Sequence, residues 1–152
     1  MHSDLVIEMF DSILVVCTGN ICRSPIGERY LRNLLPDKKI DSAGTGALIE
    51  HAADNSAIKV AQLHGLSLEG HLSRQFTSSL GRQYDLILAM EKSHIEQIGH
   101  IAPEARGKTM LFGHWLEQRD IPDPYRKSDE AFLSVYKLIE QAGRLWAQKL
   151  GA

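Results

Sequence analysis

One short segment holds residues able to do covalent chemistry. In Cys17-Thr18-Gly19-Asn20-Ile21-Cys22-Arg23-Ser24-Pro25 a thiol stands six positions before an arginine. Gly19 and Asn20 both tolerate left-handed backbone geometry, so a loop through them can turn its N–H groups inward as an anion nest. A phosphate suits such a nest, and Arg23 adds a planar fork of donors for two of its oxygens. The expected phosphate loop is therefore Thr18, Gly19, Asn20, Ile21, Cys22, Arg23 and Ser24. The same field favours thiolate over thiol; helix N-termini bring cysteine pKa values from about 8.5 down to roughly 3.5 to 7.5. Cys17 is thus expected to be ionised at neutral pH and to act as nucleophile. Ser24 could donate a hydrogen bond to the sulfur and stabilise it as a leaving group in a second step.

The spacing alone is weak. With nine arginines in the chain, two cysteines have roughly a one in ten chance of meeting one at this distance, and a free cysteine is often only a small buried hydrophobe. Context strengthens it. Ser12-Ile13-Leu14-Val15-Val16 reads as a strand buried on both faces. After the loop, Ser24 suits an N-cap and Pro25 the first helical position, and apolar residues then recur at helical spacing to Pro36.

The rest of the chain repeats this alternation. Lys39 to Ala43 reads as a second strand, and a helix capped by Asp54 ends at Gly65. Asp85 to Met90 reads as a third strand, followed by a helix from Lys92 to Pro103. Thr109 to Phe112 gives a fourth strand. A last helix starts near Ser128, with Phe132, Val135, Tyr136, Ile139, Trp146 and Leu150 on its apolar stripe. The predicted fold is a single-domain, three-layer α/β doubly wound sheet of four mainly parallel strands with helices on both faces. Ligands of such sheets bind beyond the carboxyl ends of strands, where the Cys17 loop falls.

Composition narrows the function. The chain has 152 residues, 43% of them hydrophobic, and a net charge of −2, enough for one core and without the basic field that a nucleic-acid partner requires. No apolar run approaches a bilayer span, so no membrane insertion is expected, and no signal peptide is visible. Two cysteines in one loop suit a reducing compartment, so a cytoplasmic location is expected. The seven histidines form no metal-ligand spacing, so no metal is expected. Gly44-Thr45-Gly46 lacks a dinucleotide fingerprint, and no cofactor is expected.

The segment from Cys17 to Pro25 closely resembles the signature of the low-molecular-weight protein tyrosine phosphatases. Asp123-Pro124-Tyr125 and Asp41-Ser42-Ala43-Gly44 resemble two further motifs of that family. The resemblance spans about residues 11 to 150, giving an expected domain of 9–152, with residues 1–8 as an extension or cloning remnant. It looks closest to the Gram-negative branch acting on tyrosine autokinases that control capsule and exopolysaccharide export, through Leu111-Phe112-Gly113-His114-Trp115 and the run from Ile121 to Ser128. It implies a phosphotyrosine protein as partner, a phosphocysteine intermediate on Cys17, a phosphate clamp in Arg23 and a general acid in Asp123. It also implies that Asn20 and Ser42 hold the loop in shape while Leu48 and Tyr125 line the slot for the substrate ring. A monomer is expected. The chain departs from the family at Arg126, where eukaryotic members have a second tyrosine, and at Leu48, where many have an aromatic residue.

Other readings stay open at this level. Cys22 could pack passively or capture an oxidised Cys17 as a reversible disulfide. Trp115 could be an ordinary core aromatic or face the substrate. The histidines read as surface residues or core hydrogen-bonders. An arsenate reductase would relay oxidation through further downstream cysteines, which this chain lacks. A non-catalytic phosphotyrosine-binding module would need neither Cys17 nor Asp123.

Overall fold

The computed structural model describes residues 10–151; the expected extension at residues 1–8 lies outside the described residues. Strand β1 (Ser12–Cys17) is followed by α1 (Arg23–Leu34), β2 (Lys39–Gly44), α2 (Asn55–Leu63) and the short α3 (Ser78–Gly81). Then come β3 (Leu86–Ala89), α4 (Lys92–Ile101), a 3-10 turn (Pro103–Lys108), β4 (Thr109–Leu111) and α5 (Asp129–Lys149). The four strands form one sheet in the order β2-β1-β3-β4, and every pairing is parallel.

Period-two alternation along β1 divides the interior into two layers. Ile13, Val15 and Cys17 face the core shared with α1, α2 and α5, around Phe112, Phe132 and Trp146. Leu14 and Val16 face the opposite layer with Ile98, Ala102 and Ala105 from α4 and the 3-10 turn. Burial on both faces explains the unbroken apolar run, since no residue from Ile13 to Val16 retains exposed surface.

Both turns that the sequence reading missed follow from local chemistry. Thr77 caps α3 by accepting from the Leu80 N–H at 3.1 Å. Pro103 lies just past the end of α4, as expected of a helix stop, and also opens the 3-10 turn, where its missing N–H costs nothing.

The sheet order puts the catalytic candidate at the switch point. Chain leaves β1 toward β2 on one side, and β3 lies on the other, so the carboxyl end of β1 opens into a crevice. Cys17 is the last residue of that strand, paired with Gly44 of β2. Gly44 packs so closely under the loop that a Cβ built on it would come within 2.2 Å of the Thr18 carbonyl oxygen. Gly44→Ala should therefore destabilise the fold by about 1–3 kcal/mol through forced displacement of the loop. An unchanged urea midpoint would mean that the loop yields freely.

Candidate active site

The loop after β1 is held by one buried amide. Asn20 has φ of 60° and no exposed surface. Its Nδ2 donates to Ser24 Oγ at 2.8 Å and to Ser42 Oγ at 2.9 Å. Its Oδ1 accepts the Arg74 N–H at 2.9 Å, and its carbonyl oxygen accepts from His71 Nε2 at 2.6 Å. Ser42 Oγ in turn donates to Glu28 Oε1 at 2.7 Å, and Glu28 is held by Arg29 Nε at 2.8 Å.

These bonds assign a direction to the serine hydroxyl. Ser24 Oγ already accepts from Asn20, so its own hydrogen is free for Cys17 Sγ, 2.9 Å away. This corrects the expectation that Ser24 caps the helix. The helix starts at Arg23, Cys22 is the N-cap, and no side chain caps it. Pro25 accordingly falls at the third helical position, two later than expected. Uncapped first-turn N–H groups remain available to an anion, with the positive end of the helix dipole behind them.

Arg23 is almost wholly buried and fixed from two sides. Its Nη1 donates to the Ile121 carbonyl oxygen at 2.7 Å and pairs with Glu91. Its Nη2 stands 4.0 Å from Asp123 Oδ2. The Tyr125 N–H donates to Asp123 Oδ1 at 3.0 Å, an Asx turn that orients the carboxyl group. The Asp123 side chain is half exposed, so solvent reaches it.

A cavity of about 180 Å3 is lined by Cys17, Thr18, Gly19, Ile21, Cys22, Arg23, Leu48, Asp123 and Tyr125. The sequence-derived nucleophile, clamp, acid and slot residues thus meet in one place. Asn20 and Ser24, expected in the phosphate loop, and Ser42 do not line the cavity; they lie behind it as the network above. Leu48 and Tyr125 form an exposed rim, and the Arg126 guanidinium lies over the Tyr125 ring at 5.1 Å. Trp115 packs instead against Trp146 at 5.4 Å and His114 at 4.6 Å, away from the cavity, which overturns a substrate-facing role.

Cys22 is buried with a free thiol. Burial, then the Asp54 carboxylate, pushes that thiol well above the usual cysteine range. A thiol kept protonated in this way is a poor nucleophile. Among the described residues no group of His, Cys, Asp or Glu side chains is placed to hold a metal ion.

Residues that the sequence reading did not single out complete the site: Glu28, His71 and Arg74 behind the loop, and Glu91 and His94 beside Arg23. Glu91 and His94 follow β3 directly, so the rule that ligands gather at the ends of neighbouring parallel strands was the available signal. Burial, then the Arg23 charge, lowers the His94 pKa to about 4.

Fold and site together define a class, a cysteine-loop phosphatase on a doubly wound sheet. Residues 12–152 match the family described as low molecular weight phosphotyrosine protein phosphatase. The chain is 62% identical over 141 residues to the low molecular weight protein-tyrosine-phosphatase Etp of Escherichia coli K12, covering 93% of this chain and 95% of the relative. The structure of the tyrosine phosphatase Wzb from Escherichia coli K30 in complex with sulphate superposes with a TM-score of 0.93 at 72% identity, covering 94% of this chain and all of that one. Wzb of Vibrio vulnificus in complex with benzylphosphonate gives 0.91 at 59% identity, over 93% and 99% of the two chains. The chain belongs to the low molecular weight phosphotyrosine protein phosphatase family and is a protein-tyrosine-phosphatase.

The His94 shift has a sign that can be read in stability. A histidine neutral in the fold but titrating near 6.5 when unfolded binds its proton preferentially in the unfolded chain. Stability is then retained above pH 6.5 and lost as pH falls from 6.5 toward about 4. Unfolding midpoints of the wild type should drop relative to those of His94→Gln across that window. A difference constant with pH would show that His94 does not titrate this way.

Proposed function

We propose that this phosphatase hydrolyses phosphotyrosine through a phosphocysteine intermediate on Cys17. The observation that carries the reading is the convergence of Cys17, Arg23 and Asp123 on one cavity whose floor is the uncapped start of α1. In the first step the Cys17 thiolate attacks phosphorus, the bond from phosphorus to the tyrosine oxygen breaks, and Asp123 gives its proton to that oxygen. The acid is needed because a phenol has a pKa of about 10 and leaves poorly as the anion near neutrality. Asp123 Oδ1 is engaged by the Tyr125 N–H, which leaves Oδ2 to carry the proton. In the second step water attacks phosphorus, Asp123 takes the water's proton, and the sulfur departs as thiolate against the Ser24 hydroxyl. Arg23 and the loop N–H groups hold the phosphoryl oxygens throughout. The sulphate and benzylphosphonate held by the two Wzb relatives are the kinds of anion this site would accept, the latter with an aromatic ring for the Leu48 and Tyr125 rim.

We further propose that the physiological substrate is a tyrosine-phosphorylated bacterial autokinase controlling polysaccharide export, in the cytoplasm, a reading supported by the resemblance of Leu111-Phe112-Gly113-His114-Trp115 and of the run from Ile121 to Ser128 to that branch of the family. No helix among the described residues is long and apolar enough to cross a membrane.

Asp123→Ala should lower kcat by about 10²- to 10⁴-fold with tyrosine-like leaving groups and much less with acidic phenols. Losses equal across leaving groups would remove Asp123 from the acid role. Cys17→Ser should abolish turnover and retain phosphoproteins from the source cell; recovery of proteins without any tyrosine autokinase would refute the assigned partner.

A further inference from the structure

We propose that His94 is a positioning residue for the phosphate site, a strut that ties Thr18 of the loop to Glu91 so that the N–H nest and the Arg23 guanidinium keep one relative placement. This rests on the reading that the loop and Arg23 together hold the phosphoryl group.

The hydrogen bonds fix the tautomer and leave little freedom. His94 Nδ1 accepts the Glu91 N–H at 3.1 Å, so that nitrogen carries no hydrogen. The hydrogen must be on Nε2, which donates to Thr18 Oγ1 at 2.8 Å. The ring is buried, and each of its nitrogens is committed to a different segment. One is the loop after β1; the other is the turn after β3.

Glu91 shows why the second contact matters. It is the N-cap of α4, a position that favours Ser, Thr, Asp or Asn. Its carboxylate accepts the backbone N–H of His94 while the His94 ring accepts the Glu91 N–H, a capping box with the usual residue types exchanged. A cap outside the favoured set gains a use elsewhere, because the same carboxylate pairs with Arg23 Nη1. His94 therefore holds Glu91 through both main chain and ring, and Glu91 holds Arg23.

Asn20 ties the loop to α1 and β2 from behind, and the strut adds a tie from the Thr18 side chain to the carboxylate that holds Arg23. Two charged or polar groups that must grip one small anion need their spacing set before it arrives. The strut is a separate, buried route between the two, through the turn after β3, the strand that neighbours β1 in the sheet.

The test measures inhibition by inorganic phosphate, together with KM and kcat for a phosphotyrosine peptide. His94→Phe keeps the ring volume and removes both hydrogen bonds. It should raise the phosphate Ki and KM by about three- to tenfold, the net worth of one or two hydrogen bonds, with a smaller change in kcat. His94→Gln should recover most of the loss, since a glutamine at that position can accept the Glu91 N–H in an ordinary capping box. Thr18→Val leaves the helix cap intact and should raise Ki about threefold in the wild type but add nothing to His94→Phe. Folded His94→Phe with Ki and KM within about twofold of wild type would overturn the proposal, as would a Thr18→Val effect equal in both backgrounds. If His94→Phe does not fold, an unchanged Ki in Thr18→Val overturns it alone. Wild-type enzyme that phosphate does not inhibit would instead refute the phosphate site itself.

Discussion

A single buried carboxamide supports the chemistry of this molecule. Asn20 occupies left-handed backbone that an ordinary residue enters only at a cost, and it remains there because its side chain and carbonyl oxygen are satisfied by Ser24, Ser42, Arg74 and His71. These partners come from α1, β2 and the segment before α3. The loop that would grip phosphate is thus held in place by the fold around it. Because Asn20 donates to Ser24, the serine hydrogen is directed at the Cys17 sulfur, and a structural bond becomes a chemical one.

The arginine is constrained from the opposite wall. A buried guanidinium costs stability unless it is paired and fully bonded. Arg23 is bonded to the Ile121 carbonyl oxygen and Glu91, while the Nη2 end, nearest Asp123, faces the cavity. The half-exposed Asp123 is held by a local Asx turn instead of the core, which suits a group that must exchange protons with both leaving group and water. A buried clamp and a solvent-reached acid are the two demands of the proposed mechanism, and burial separates them.

Most of the fold was legible because its signals are local. The buried run in β1, the Asp54 cap of α2 and the start of α5 near Ser128 all reappear within a residue or two of their expected places. Cys17, Arg23 and Asp123 could be singled out because one short loop and one Asp-Pro-Tyr turn carry them. Ser24 was misread as a cap because a serine before proline at a helix start serves equally well as a cap or as an inward donor, and only the position of Asn20 decides. Glu28 and His71 were not legible, since Ser42 and Asn20 meet them from other elements and no spacing along the chain reports those meetings; Glu91 and His94 had only the weak signal of following a parallel strand. Trp115 was ambiguous for the same reason, its neighbour Trp146 being brought to it by the packing of α5.

The most direct test of the account is to identify the residue that carries phosphate during turnover. Ser24→Ala should slow departure of the sulfur more than its attack, so acid-quenched enzyme given a phosphotyrosine peptide should accumulate a phosphate adduct. Peptide mass spectrometry should locate the adduct on Cys17 alone. An adduct on any other residue, or phosphate released with no covalent species at any quench time in both the variant and the wild type, would contradict the account.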